Sequence, residues 1–328
     1  MPGLARGPAL FIWERTTRPD RSDPEQPTRT IPITNASRPR ILVIGATGQV
    51  GSKTIEFLRE QSDIEIVAAV RSAAKAAPFE TQGIATVMLD LDDETTHLPA
   101  LEGIDRLFVV TAYTVDMLRQ SKALLDNAKK AGVSHVVHLG ACGRDDTTVA
   151  HWAWHQLVER YIEWSDFSFT HLRPETFMQN VLSYGGKKAI NDGVITAFVA
   201  GARLSWVDVE DVAQVAALAL ARPDLHAGQT YRLGYDAVTF DELAALMTSG
   251  IGQPFRYQPL SPEVFLQSMI DAGAEMAYMG CVYDHWKRYA AGTIPGADDT
   301  FDNFPGITGR EPTRWPDFIQ KHKAELTY

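Results

Sequence analysis

The chain has 328 residues but only two cysteines, Cys142 and Cys281, far apart in sequence. That excludes a disulfide framework and fits a reducing compartment, so the expected location is cytoplasmic. Positive charge is in deficit. The 31 Lys and Arg stand against 41 Asp and Glu, leaving a net charge of −10. Such a surface repels phosphate backbones and anionic membranes, so neither nucleic acid nor a membrane is an expected partner. No apolar run reaches the roughly 20 residues of a membrane span. The opening stretch "MPGLARGPALFIWERTT" holds only a short apolar patch followed by Arg and Glu, so no signal peptide is expected. Internal repeats are absent too. The length suits one large α/β domain or two smaller ones, and suffices for a substantial core.

What is present is a rhythm. Residues 1–38 stand apart: rich in Pro, Arg, Thr and Asp without an apolar period, they read as an extended or disordered arm, with Ile31 and Ile33 able to pin its end. From Arg40 onward, short apolar runs alternate with helical patterns: "RILVIG", "IEIVAAVR", "ATVMLDLDD", "DRLFVVTAY", "SHVVHLGAC" and "FSFTHLRPE". Six such strands up to Leu172 predict an α/β fold, a Rossmann-like, doubly wound parallel sheet buried on both faces. After Pro174 the pattern loosens. Asp208 is placed to cap a helix carrying Val212, Val215, Ala216 and Ala219 on one face. Thr239 and Glu242 form a capping-box pattern, and Ser261-Pro262-Glu263 reads as another helix start. The expected division is a dinucleotide-binding domain of residues 39–172 plus 205–222, and a smaller C-terminal substrate-binding lobe of 173–204 plus 223–328.

The first apolar run ends in "VIGATGQVG", which supplies Gly45, Gly48 and Gly51 between a strand and a helix. In that context the triplet signals a dinucleotide site. Gly45 allows the tight turn, Gly48 lets the backbone approach a pyrophosphate, and Gly51 lets helix and strand pack closely. The helix N-terminus adds free N–H groups for the phosphates. An enzyme selective for NAD places a carboxylate at the end of the second strand. Here that position is Arg71, with Lys75 one turn on, so NADP(H) is expected in preference to NAD(H). Asp90, closing the third strand, is placed to sit near the adenine.

These motifs, with "VRSAAKA", "LDLDD", "THLRPETFMQN", "WVDVEDVAQVAALAL" and "GQTYRLG" in this order, resemble the NmrA-like group of atypical short-chain dehydrogenase/reductases, from Arg40 to about Leu326. The resemblance implies a Rossmann domain with a small C-terminal lobe, a cofactor across the strand ends, and a substrate cleft between the lobes. The group includes quinone and triphenylmethane-dye reductases, and regulators that bind the dinucleotide without turning it over. By position it implies that Gly45, Thr47, Gly48, Gln49, Val50 and Gly51 form the phosphate loop. Arg71 matches the 2′-phosphate residue, and Asp90 and Leu91 the adenine pocket. Thr111, Ala112 and Tyr113 match the stretch along the nicotinamide ribose. The segment Pro174 to Asn180, with Phe177, would roof the nicotinamide and line the substrate cleft.

Ordinary short-chain reductases carry Tyr-x-x-x-Lys, whereas this chain has His151-Trp-Ala-Trp-His155. The two histidines lie together at the edge of an apolar stripe formed by Trp154, Leu157, Val158, Tyr161 and Ile162. An ordinary histidine pKa near 6.5 suits acid–base work at neutral pH, making His155 and His151 the candidate catalytic residues. Trp152 and Tyr113 are candidates to sandwich a planar substrate, and Cys142 lies near the expected nicotinamide position. No third ligand stands near the histidine pair, so no metal is expected. His135 and His138 are expected to be packing residues of one strand, Asp145 and Asp146 loop and cap residues, and Arg173 structural. The resulting expectation is an NAD(P)H-binding oxidoreductase, a monomer or homodimer, that reduces a small planar or aromatic acceptor such as a quinone, enone or dye. Two alternatives remain: an NAD(P)-sensing regulatory protein without turnover, and a non-redox lyase or isomerase with His155 as acid/base.

Overall fold

The computed structural model describes residues 38–183 and 190–328. The arm expected over residues 1–38 falls, apart from Arg38, outside them, as do Ile31 and Ile33. The first half alternates strands and helices: β1 (Arg40–Val43), α1 (Gln49–Leu58), β2 (Glu65–Val70), α2 (Ala73–Glu80), β3 (Ala85–Met88), α3 (His97–Leu101), β4 (Arg106–Val110), α4 (Met117–Ala131), β5 (His135–Leu139), α5 (Ala150–Trp164) and β6 (Ser168–Pro174). Then come β7 (Thr176–Phe177), β8 (Ile190–Asn191), β9 (Val194–Ala197), β10 (Leu204–Val207), α6 (Val209–Ala221), α7 (Pro223–His226), β11 (Gln229–Leu233), β12 (Asp236–Val238), α8 (Phe240–Ile251), β13 (Arg256–Pro259), α9 (Pro262–Asp271) and α10 (Met276–Ala290). Short helices α11 (Phe304–Thr308), α12 (Trp315–Lys321) and α13 (Lys323–Leu326) follow.

The main sheet has the order β11-β6-β5-β4-β1-β2-β3, and every neighbouring pair in it is parallel. The six strands expected from the sequence are there, and β11 adds a seventh at the edge. The strand order reverses between β1 and β4, which is where an open α/β sheet leaves a crevice at its carboxyl ends. Side chains alternate as the pleat requires. Leu42, Leu107, Val109 and Val136 pack toward α4 and α5, while Ile41, Val43, Phe108 and Val137 face the layer of α1 and α6. Each such fully buried side chain contributes ~1.5–3 kcal/mol.

Helix α6 starts where Asp208 accepts the Glu210 N–H at 2.9 Å, and Thr239 with Glu242 closes the capping box of α8. The small Ala213, Ala216 and Ala217 of α6 let α1 approach closely through Val50, Ile55 and Leu58. Two small sheets, β12-β10-β7 and β13-β9-β8, surround a second core in which Trp206 meets Trp315 edge-on, ring centres 5.2 Å apart. The main consequence for function is the placement of α5. It follows β5, packs on the same face of the sheet as α4, and begins at the carboxyl end of the strands.

Candidate functional site

At the reversal point the chain leaves β1 through Gly45, whose φ of +69° suits glycine. A Cβ there would lie 3.2 Å from the Val110 side chain at the end of β4. Gly48 donates its N–H to the Gly45 carbonyl at 2.8 Å and caps α1 without any side-chain hydrogen bond. A Cβ on Gly51 would sit 2.2 Å from the Gly45 oxygen and 2.7 Å from its carbon. The first turn of α1 therefore lies directly on the loop and can do so only because residue 51 has no side chain. Thr47, Gly48 and Gln49 are exposed, while the Val50 side chain turns into the core. That turn carries no acidic residue and no side-chain cap, so its first N–H groups and the positive end of the helix are open to an anion. The cradle thus fits a pyrophosphate both sterically and electrostatically.

Around it stand the other expected contacts. Arg71 and Lys75 are exposed at the end of β2 and the start of α2, and neither side chain has a hydrogen-bonding or ionic partner among the described residues. Asp90 is half-buried after β3. Its Oδ1 accepts the Asp92 N–H at 3.1 Å, and its carbonyl lies 3.1 Å from His97 Nε2, so it shapes that loop. Leu91 is half-buried. Thr111 is half-buried beyond β4 and Ala112 is exposed. Tyr113 is 81% exposed, with its ring centre 6.0 Å from that of Tyr278 on α10.

Helix α5 answers differently from the sequence expectation. His151, His155, Glu159 and Glu163 recur every fourth residue and form one polar stripe. Opposite them, β5 and β6 pair His138 with His171, and both rings face α5. His155 Nδ1 lies 3.3 Å from His138 Nε2. Glu159 receives Arg173 in bidentate fashion, Nε to Oε1 at 2.9 Å and Nη2 to Oε2 at 2.6 Å, with both residues buried. Arg173 Nη1 also donates to Asp145 at 2.7 Å. Burial opposes the Arg173 charge, but its hydrogen bonds to Glu159 and Asp145 outweigh burial and raise its pKa. His171 Nε2 stands 3.3 Å from Glu163 Oε1, and Glu163 keeps 26% of its side chain exposed. His151 packs between Tyr278 and His285 of α10, 5.0 Å from the latter ring. Leu157, expected in the apolar stripe, is 56% exposed instead.

The ordinary histidine pKa assumed from sequence does not survive this environment. Burial pushes His151 down to about 4. It pushes His155 to about 3, with His151 adding to the effect, and His171 also to about 3. These rings are neutral at pH 7, so His155 holds no standing proton as an imidazolium. His135 lies on the opposite face of β5 from His138, 2.8 Å from Ser168 Oγ, and is depressed to about 4 by burial.

A stability prediction follows. Folded histidine pKa values of 3–4 lie below the unfolded value near 6.5, so the folded chain binds fewer protons and loses stability as pH falls through that window. Burial raises Glu175 to about 7 and Asp211 to about 6, and these act in the opposite sense. They destabilise the fold as pH rises above their unfolded values of 4.5 and 3.8, and so return part of the loss on acidification. His138, His226 and His285 are shifted down by burial as well, so the histidines outnumber the two carboxyls, and unfolding by denaturant should show clearly less stability at pH 4.5 than at pH 7. A flat profile would contradict the buried neutral rings.

The expected substrate residues are divided. Cys142 is 7% and Trp152 4% exposed, both sealed in the second core. The Cys142 thiol, its pKa raised by burial and by Glu175, serves as packing there. Phe177 and Asn180 are half-buried on the segment after β6, where Gln179 ties Asp208 at 2.7 Å. Sequence reasoning passed over Glu175, which is 5% exposed beside Cys142 and 3.2 Å from Arg232. It also passed over Glu159, Glu163, His171 and His285. Among the described residues, His138, Glu159 and His171 are the group whose metal-type ligand atoms all lie within 4.8 Å of one another.

The NmrA-like family profile matches residues 37–303. An NAD(P)H azoreductase from Xenophilus azovorans is 32% identical over 287 residues, covering 87% of this chain and 98% of that protein. The NADPH-dependent quinone oxidoreductase of Escherichia coli, solved with NADPH, superposes with a TM-score of 0.73 at 26% identity, covering 86% and 99% of the two chains. The Citrobacter sp. triphenylmethane reductase, solved with NADP(H), shares the fold at a TM-score of 0.73 and 23% identity, covering 86% and 99%.

Proposed function

The chain belongs to the NmrA-like family, and from that premise we propose that it is an NADPH-dependent reductase of planar aromatic acceptors of the quinone, enone or dye class. The observation that carries the reading is the cradle ahead of α1, closed so tightly at Gly51 that no side chain fits between helix and loop. Likeness to an NAD(P)H azoreductase along nearly its whole length supports it. Gly45, Thr47, Gly48, Gln49, Val50 and Gly51 hold the pyrophosphate through backbone N–H groups. Arg71 and Lys75, both without partners among the described residues, take the 2′-phosphate. Asp90 and Leu91 flank the adenine, and Thr111, Ala112 and Tyr113 the nicotinamide ribose.

When bound, the reduced nicotinamide supplies a hydride. The chain's own part is to orient the acceptor, exclude water and deliver a proton. Tyr113 offers an exposed ring on which a planar acceptor stacks. His155, kept neutral, presents an imidazole whose Nδ1 is tied to His138, leaving Nε2 to donate. Residues 39–172 plus 205–222 bind the cofactor, and 173–204 plus 223–328 shape the acceptor site. The protein acts as a monomer or homodimer, and its two free cysteines suit the cytoplasm.

The test is consumption of NADPH with a panel of quinones and azo dyes, wild type against Arg71→Glu. Wild type should turn over. The variant should bind NADPH about tenfold to a hundredfold more weakly while NADH binding changes little, as expected for a lost charge-assisted contact. No oxidation of NADPH with any acceptor would defeat the reading.

A further inference from the structure

The polar stripe of α5 leaves nitrogen atoms with nothing to bond. His138 and His171 are both 0% exposed. His138 Nδ1 and both ring nitrogens of His171 have no hydrogen-bond partner among the described residues, the contact of His171 with Glu163 being close but poorly aligned. Leaving such groups dry costs about 1–3 kcal/mol each. One nitrogen of each ring and one Glu159 oxygen lie within 4.8 Å of one another, so some point is within about 2.8 Å of all three, which is hydrogen-bonding distance. Three convergent polar partners are what a buried water requires. A divalent cation is disfavoured there, because Arg173 already grips Glu159 with two hydrogen bonds and Arg160 lies 3.5 Å from the same carboxylate.

We propose that His138, His171 and Glu159 enclose one internal water, and that this water completes a proton path from Glu163, through His171 and His138, to His155. The path rests on the reductase reading above and supplies what that reading needs, a proton for each hydride. Glu163 meets solvent at one end, and His155 lies one turn from His151 at the other. For each proton delivered, Glu163 takes one from solvent and passes one to His171. His171, the water and His138 each gain a proton on one side and lose one on the other. His155 receives it at Nδ1 and releases one from Nε2, so every ring passes from one neutral tautomer to the other and no charge accumulates. Neutral rings suit this work, because a ring that kept its proton would stop the transfer. Glu163, His171 and His138 are therefore positioning residues that act through His155.

The test has two arms. A high-resolution crystal structure of the full chain should show an ordered water bonded to His138, His171 and Glu159, and metal analysis should find no bound zinc. Glu163→Gln, at the half-exposed end of the path, should fold normally and lower kcat for quinone reduction about tenfold. KM for NADPH should stay unchanged, and the solvent deuterium isotope effect on kcat should rise. His171→Phe should do the same, with its thermal midpoint measured beside it. No water among the three side chains, a metal in its place, or an isotope effect that neither variant moves would overturn the path. A wild-type chain that oxidises no NADPH would overturn the reductase reading instead, and the crystallographic arm would still report on the water.

Discussion

Gly51→Val abolishes dinucleotide binding. The added Cβ would lie 2.2 Å from the Gly45 oxygen and 2.7 Å from its carbon, and both atoms are backbone that cannot rotate aside. Either the loop moves or α1 withdraws, and each movement takes the first-turn N–H groups away from the phosphates they must meet together. Calorimetry should show NADPH affinity lower by on the order of a hundredfold or more. Overpacking should also cost ~1–3 kcal/mol of stability. Gly201→Ala is the control. Its Cβ meets nothing within 4 Å and its φ is ordinary, so binding and stability should both persist. If Gly51→Val binds NADPH like wild type, the cradle is not the cofactor site.

Removing one partner of the Glu159–Arg173 pair should have the largest effect on stability. The carboxylate is 0% and the guanidinium 4% exposed, and they are joined by two hydrogen bonds. Glu159→Ala leaves a cation inside the protein beside only Asp145, and Arg173→Met leaves an anion there. Each single change should cost ~3–5 kcal/mol in denaturant unfolding, because the survivor is desolvated and keeps only a lesser partner, Asp145 for Arg173 and Arg160 for Glu159. The double replacement Glu159→Leu with Arg173→Met should recover much of that, since two apolar side chains need no partner. Additive losses would show that the pair is not coupled in the way its geometry implies.

How much could be read from the sequence depends on how local each feature is. The glycine loop was legible because strand, turn and helix start lie within a dozen residues and each glycine answers a local steric need. Six strands of the main sheet were legible because strands buried on both faces show as apolar runs. The caps at Asp208 and Thr239 follow from hydrogen bonds spanning two or three residues. The histidines were half legible. Their spacing of four marked one helix face, but Glu159 and Glu163 continue that face and resemble solvated charge until Arg173 and His171 are brought against them. Those partners come from another strand, and the pairing is set by β-sheet register, which a single sequence does not display. The same holds for chemistry. A pKa near 6.5 is a property of exposed histidine, and the fall to about 3 is a property of the packed environment. Cys142 and Trp152 were placed at the right end of the sheet, but their depth depends on α10 folding over them, about 130 residues downstream.

The central claim is that a backbone cradle ahead of α1 holds the pyrophosphate of NADPH and that the rest of the site is arranged around it. The most direct test is isothermal titration of the full chain with NADPH and, separately, with NADH. Saturable binding of both at one site per chain is expected, with NADPH bound about tenfold or more tightly through Arg71. No heat with either dinucleotide, in a chain shown to be folded, would contradict it.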